Sequence, residues 1–369
     1  MALPQAVKHS ECLVRTGTVM PNSLKGFIVF SLVMLMTGFV HAGDKKEFTL
    51  GVLAFRPKPE TQVRWQPLAD YLTSKLDGMK VRLKVFTYTE LEKELNEKRL
   101  DFVLTNPGHY IQIKHHHNLS GALATLVDFE GNIATEFFGG TIITRKDRGD
   151  ILELRDLKGK TIAIVSRGSL GGYQAQALEL LHAGIKLPQD ARVIETEMPH
   201  DRVLDAVLKG EADAGFVRTG IIETMAREGR LDISSIKVLS RRDVPGYPHA
   251  LSTSLYPEWP IIALPHVDED IARQVVAALL SISHDGELAK KCRIHGFTIP
   301  ADYAPVENLL RELRFPPFDR PPQVTAHDIW QQYRYAILLL LLAVSIIGIL
   351  SFWFIINFLS FAFKLKALG

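Results

Sequence analysis

Cysteine is scarce: Cys12 and Cys292 are the two in 369 residues. If a leader carrying Cys12 is removed, Cys292 is left alone and no intramolecular disulfide forms. The first reading of Cys292 is a small buried hydrophobe, the second a reactive or intermolecular thiol. A charge imbalance is also lacking, with 43 basic against 41 acidic residues. No basic stripe interleaved with aromatics appears, so a nucleic-acid partner is not expected. Catalytic spacing is missing as well. No triad, metal set or paired carboxylates stand at a recognisable interval, and neither an enzyme nor a cofactor is expected. His115, His116 and His117 are consecutive, so on a helix they diverge by about 100° each and cannot share one face. They read as a solvated helix end.

Apolar length is concentrated at the two ends. Lys25 precedes the run Phe27–Val40, and Val40 and Ala42 occupy the small-residue positions of a leader cleavage site. Residues 1–42 are therefore expected to be a signal region, with an uncleaved anchor as the alternative. Near the other end, Tyr335–Phe363 carries no charge and is long enough to cross a bilayer, which takes about 20 residues. Lys364 and Lys366 follow it, which predicts a cytoplasmic C-terminus by the positive-inside rule. The expected layout is an exported domain over 43–315, a proline-rich linker over 316–333, a membrane helix over 335–359 and a short tail over 360–369. The location predicted is the inner membrane, with the exported domain in the periplasm.

The exported part alternates apolar strand runs with helical patterns, the mark of an α/β fold with largely parallel sheets. It also repeats. Thr49 in "TLGVL" and Thr161 in "TIAIV" stand 112 positions apart. At the same offset Thr89 pairs with Asp201, each read as a helix N-cap, and Asp101 pairs with Asp213. Asn106-Pro107-Gly108 then falls on Arg218-Thr219-Gly220. Each copy predicts a βαβαβα lobe with its ligand-facing loops at the strand carboxyl ends. Lobe one is expected over about 48–138 and 255–315, and lobe two over about 141–250. The segments 135–147 and 247–264 are expected to be the two crossings of a hinged clamshell.

The stretch "SRGSLGGY", Ser166–Tyr173, lies between a strand and a helical pattern. A strand, a Gly-rich turn with small hydroxyls and a helix N-terminus make an anion cradle. Two enzymatic readings fail. "LKGKT" has Leu154 where a phosphate-binding loop needs glycine, and Arg167 stands where a nucleophile elbow around Ser169 needs glycine. The cradle is expected to use the Ser166 and Ser169 hydroxyls and the amides of Gly168–Tyr173, Gly171 and Tyr173 among them. Arg218 is the expected bidentate clamp on an anion, with Thr219 beside it. An inter-lobe salt bridge is the alternative for Arg218. From lobe one, Tyr88, Thr89, Asn106 and His109 are the expected neutral donors. Arg56, Arg64 and Trp65 occupy the first loop, where Trp65 is also placed to pack beneath it.

In order, "LGVLAFRP", "WQPLADYL", "DFVLTNPGHYI", "DLKGKTIAIVSRGSLGGY", "ADAGFVRTGIIE" and "GFTIPADYAPVENLLRELRFPPF" resemble the phosphonate-binding-protein-like family of type II periplasmic solute-binding proteins. Within it they are most similar to the extracytoplasmic input domains of membrane sensors such as tetrathionate-sensing histidine kinases. The resemblance spans about Leu50 to Phe318. It implies a two-lobe α/β clamshell that closes reversibly on a small polar or anionic ligand, a phosphonate, phosphate or similar oxyanion. It also implies a partner: a histidine kinase or diguanylate cyclase for a sensor, or an ABC permease for a transporter component.

Overall fold

The structure is a computed structural model that describes residues 47–130, 133–320 and 325–366. The expected leader, residues 1–42, lies outside the described residues. The first lobe is built on strands β1 (Glu47–Leu53), β2 (Lys80–Phe86) and β3 (Phe102–Leu104), which pair in parallel in the order β3-β1-β2. Helices α1 (Lys58–Lys75), α2 (Tyr88–Asn96) and α3 (Pro107–His117) follow these strands. The sheet continues antiparallel through β13 (Pro260–Ala263), β4 (Ala124–Glu130) and β14 (Ile294–Thr298), with β5 (Ile133–Thr135) on β4. Its core holds Leu50, Val52, Trp65, Leu68 and Leu72, all buried. Burying each such side chain contributes about 1.5–3 kcal/mol.

The second lobe carries β8 (Thr161–Ile164), β9 (Arg192–Glu195) and β10 (Ala214–Arg218) in parallel. Antiparallel β7 (Gly140–Arg145) and β11 (Ile236–Leu239) complete a five-stranded sheet in the order β11-β7-β10-β8-β9. Helices α4 (Ala175–His182), α5 (Asp201–Leu208) and α6 (Ile221–Arg227) return along it. Between the lobes, β6 (Phe137–Phe138) pairs antiparallel with β12 (Tyr256–Pro257). This ladder joins the two crossings inside the segments expected to carry them.

The repeat is visible as one hydrogen-bond device used twice. Asp101 accepts from the Thr49 amide at 2.7 Å, and Asp213 accepts from the Thr161 amide at 2.8 Å. In return the Asp101 amide donates to the Thr49 carbonyl and the Asp213 amide to the Thr161 carbonyl. Each aspartate therefore fixes the start of its lobe's first strand against the start of its third.

Two expected caps are corrected. Thr87, not Thr89, caps α2, in a capping box with Glu90; Thr89 lies inside the first turn. Asp201 is the first residue of α5, behind His200, and caps nothing. Its carboxylate lies in a cross-lobe ion cluster.

After the second crossing come α7 (Glu269–Leu280), capped by Asp268, then α8 (Glu287–Cys292) and β14. Cys292 is fully buried, as a small hydrophobe would be, and burial pushes its thiol up to about 11. Helix α9 (Ala304–Leu313) lies against both lobes. Lys114 of α3 pairs with Glu307 at 3.1 Å, and His182 of α4 meets Glu312 at 2.6 Å. Helix α10 (Ala326–Lys366) starts earlier than the expected span. Its segment Ala326–Ser360 is long and apolar enough to cross a membrane, its most apolar 18-residue stretch having a mean hydropathy of 2.8.

Candidate ligand cleft between the lobes

The stretch expected to form the cradle is a Gly-rich turn between β8 and α4, shaped by a π turn. Leu170–Gln174 form one turn of wide helix that runs directly into α4. Ser169 caps it, its hydroxyl accepting from the Gly172 amide at 3.1 Å, while the Ser166 hydroxyl accepts from the Gly168 amide at 3.2 Å. The remaining first-turn amides have no acceptor within the helix, by the geometry of any helix start. The turn passes close over the hinge. A Cβ on Gly171 would stand 2.9 Å from the Phe138 ring and 3.0 Å from the Gly139 carbonyl oxygen, so only glycine fits that approach.

Lobe one meets the cradle with Tyr88, Asn106 and His109. The Asn106 side-chain carbonyl caps α3 by accepting from the His109 amide, and its amide donates to the Tyr88 hydroxyl at 2.7 Å. Tyr88 in turn hydrogen-bonds Ser169 across the cleft; burial raises its phenol well above the usual value against the pull of these bonds. His109 is buried between the Thr105 hydroxyl at 2.9 Å and Glu92, its ring edge-on to Tyr88. Ser169, Tyr88, Asn106 and His109 thus form one connected set. Thr89 is exposed on the first turn of α2, next to Tyr88.

Tyr173 does not join that set. Its ring is buried in the core of lobe two, edge-on to Phe315 at 5.8 Å. Thr219 turns toward the hinge: its hydroxyl accepts from the Gly139 amide at 3.2 Å and from the Tyr247 hydroxyl at 2.6 Å.

Arg218 reaches the cleft from the end of β10, but its guanidinium already has anions. It pairs with Glu258 of the second crossing and lies 3.4 Å from Asp128 of β4, with Phe138 and Phe55 beneath it. Asp128 also takes Arg64 at 2.7 Å. Burial would raise the Asp128 carboxyl, yet Arg64 and Arg218 hold it below the ordinary range. Arg218 is thus placed as an inter-lobe ion pair, the alternative raised by the sequence. Arg64 also donates to the Cys292 carbonyl at 2.8 Å, and Trp65 packs beneath it in the lobe-one core.

A second cross-lobe cluster was not read from the sequence. Arg56 of lobe one binds Asp201 at 2.8 Å and Glu228 at 3.1 Å, both in lobe two, and Arg230 also binds Asp201. His200 was missed too. It is buried, and its Nδ1 accepts from the Arg218 amide at 3.5 Å. Desolvation, with Arg218 and Arg56 nearby, lowers it to about 3, so it is neutral at physiological pH. "MPHD" in the loop before α5 was the available signal: a histidine at a strand carboxyl end, in the register of the ligand loops. These contacts describe lobes held together. Arg56–Asp201, Arg218–Asp128 and Tyr88–Ser169 each join one lobe to the other. Among the described residues no group of three or more metal-ligating side chains gathers, and the histidines 115–117 end α3 on the surface.

Comparison with known proteins agrees with this architecture. A tetrathionate sensor histidine kinase, TtrS of Salmonella typhimurium, is 28% identical over 299 residues, covering 81% of this chain and 48% of the kinase. The chain thus spans about half the length of that relative. A phosphate-import protein, PhnD of Mycolicibacterium smegmatis, is 24% identical over 226 residues, 58% of this chain and 69% of that protein. Among solved structures, the binding component of a Pseudomonas aeruginosa ABC phosphonate transporter superposes with a TM-score of 0.60 at 13% identity, covering 79% of this chain and 94% of that one. PhnD1 of Prochlorococcus marinus, in complex with methylphosphonate, gives 0.58 at 16%, covering 73% and 98%. At such identities the structural likeness establishes the fold: the two-lobe, type II periplasmic binding-protein clamshell. The profile of the phosphonate ABC transporter periplasmic substrate-binding proteins matches residues 50–304, most of the chain, and the chain belongs to that family of binding domains.

Proposed function

We propose that this chain is a membrane-tethered periplasmic sensor input that binds a small oxyanion or polar organic anion between its lobes and signals to a cytoplasmic kinase or cyclase. The observation that carries the sensing half is the position of α9. It is ion-paired to Lys114 of α3 in lobe one through Glu307 and hydrogen-bonded to His182 of α4 in lobe two through Glu312. The chain then continues from Phe315 on Tyr173 toward the apolar helix α10. Any change in the angle between lobes acts on both ends of α9 and is carried toward the membrane. The binding half is supported by the capped cradle at Ser166–Tyr173 with Tyr88, Asn106 and His109 facing it. Similarity to a tetrathionate sensor kinase supports the same reading. In this reading the membrane-spanning segment is 335–359, and the stalk expected over 316–333 is helical from Ala326 onward.

The second reading is a tethered substrate-binding component of an ABC transporter, favoured by the similarity to a phosphate-import protein. A neighbouring kinase or cyclase gene favours sensing, and a permease with an ATPase favours delivery. The binding test is a thermal-shift panel of phosphate, methylphosphonate, sulfate and tetrathionate on the full chain in detergent. A bound ligand raises the melting temperature by mass action, about 2.7 kcal/mol at a hundred times Kd. No shift with any of the four removes the oxyanion reading.

A further inference from the structure

The two lobes line an open groove of about 470 Å3 that contains none of the cradle residues. Lobe two supplies Ile221 and Arg227 from α6; lobe one supplies Phe129 from β4, with Lys290 and Arg293 from the α8–β14 corner. Its volume lies within the range of about 300–1,000 Å3 typical of sites for small organic molecules. A five-atom oxyanion displaces little more than a few waters of roughly 30 Å3 each, so it leaves most of such a groove unfilled.

The charges divide into two groups. Arg56 and Arg64 at the inner end are neutralised, the first by Glu60, Asp201 and Glu228 and the second by Asp128. Asp285 faces His284 at 3.0 Å. Arg227, Lys290 and Arg293 form no ion pair among the described residues; Arg227 donates only to the Thr224 hydroxyl. Uncompensated cations therefore stand on both walls, one from lobe two and two from lobe one. One wall is also aromatic: His284 stacks on His295 at 4.7 Å and 22°, and Phe129 lies 6.1 Å beyond. A flat apolar body between two cationic walls is matched by a flat organic dianion.

The geometry points to this groove as a binding site for a planar organic dianion, one acidic group on each lobe. This rests on the reading of the chain as a two-lobe solute-binding module, and it places an organic dianion at a site apart from the cradle. A dianion that bridges Arg227 and Arg293 binds the closed lobes better than the open ones, and that difference would stabilise closure.

The test uses the full chain in detergent micelles, titrated calorimetrically with isophthalate (benzene-1,3-dicarboxylate), benzoate and methylphosphonate. Arg227→Glu and Arg293→Glu are surface changes, and their melting temperatures are recorded alongside. Isophthalate is expected to saturate one site and to lose about tenfold or more in affinity in each folded variant, equivalent to about 1.4 kcal/mol. Benzoate, with one acidic group, is expected to bind at least about tenfold more weakly than isophthalate. Methylphosphonate binding is expected to match the wild type in both variants. No saturable heat with isophthalate, equal isophthalate affinity in the variants, or benzoate binding as tightly as isophthalate would each overturn the groove site. Absence of methylphosphonate binding with intact isophthalate binding would count against the cradle reading and leave the groove standing.

Discussion

The Arg56 guanidinium of lobe one stands 2.8 Å from the Asp201 carboxylate of lobe two, and both side chains are buried. Each lies against the other lobe. If the clamshell opens, each charge regains water, so the pair acts on closure rather than on the folding of either lobe. Breaking a buried ion pair costs about 3–5 kcal/mol. Arg230 still holds Asp201 when Arg56 is removed, which reduces the loss. Arg56→Gln is therefore expected to shift the closed–open balance by about 2 kcal/mol towards open. Spin labels at Asp70→Cys and Glu211→Cys, both exposed and on different lobes, would read the separation. Cys292 does not interfere, since a buried thiol raised to about 11 offers little thiolate to the label. Identical distance distributions in Arg56→Gln and the parent would remove this pair from the closing interaction.

Arg218 offers a cleaner division between scaffold and ligand contact. Its removal leaves Glu258 and Asp128 buried, the latter still beside Arg64. Arg218→Met is expected to lower stability by about 3–5 kcal/mol, and Glu258→Gln in the same chain to restore at least half of it. With the acids already satisfying Arg218, the double variant is expected to keep methylphosphonate affinity within about threefold of the wild type, which is under 1 kcal/mol. A double variant that melts normally and yet loses methylphosphonate would return Arg218 to the role of anion clamp.

The repeat was legible because it is written in residues that act on their own strands. Asp101 and Asp213 each bind a backbone amide 52 positions earlier, and the offset between copies exposes the pattern. The capping box Thr87-x-x-Glu90 was a local signal, threonine followed by glutamate three residues on, yet the cap was read two residues late, at Thr89, because the repeat register pointed there. Tyr173 was expected to lend its amide, and it does lie on the π turn; the packing of its ring against Phe315 in the lobe-two core was not legible, because Phe315 comes 142 positions later with no spacing to tie the two. Arg218's acids were hidden for the same reason. Asp128 and Glu258 lie 90 and 40 positions away, on a strand and a crossing, and no spacing ties them to β10. Such pairs are set by how two lobes meet, which the order of residues does not display.

Acid should weaken this interface through His200. In the folded protein it stays neutral down to about 3, while in the unfolded chain it accepts a proton near its ordinary value of 6.5. Between those two values the unfolded state binds more protons, so stability rises with pH across that window and is lost as pH falls through it. The slope from this one group is at most about 1.4 kcal/mol per pH unit. Asp128, held low by Arg64 and Arg218, acts in the same direction below its own ordinary value. His200→Gln keeps an acceptor for the Arg218 amide and removes the titration. The melting temperature of wild type is expected to fall relative to that of His200→Gln as pH is lowered from 7 to 4. Parallel curves would show that His200 takes up its proton as readily in the folded protein as in the unfolded chain.

Phe315 is where the cradle and the stalk meet. The π turn that carries Ser169 also carries Tyr173, whose ring lies 5.8 Å from Phe315, just past the end of α9. Further on, Phe318 lies edge-on to His115 of lobe one at 5.2 Å, beneath Arg311. The two aromatic contacts clamp the start of the stalk to opposite lobes, so closure strains or relaxes the segment between them. Removing one clamp should separate binding from transmission. Phe315→Ala is expected to cost about 3–5 kcal/mol of stability as a large-to-small change, less where neighbouring side chains close the gap. Because its contact on the cradle turn is with the buried Tyr173 ring and not with Ser169, Tyr88, Asn106 or His109, methylphosphonate affinity should stay within about threefold. The ligand-dependent signal at the membrane should fall. Trp330 sits exposed on the first turns of α10, and a fluorophore-quencher pair between it and lobe one would report that movement. A ligand-induced change at Trp330 of the same size in Phe315→Ala and wild type would show that closure reaches the membrane by another route.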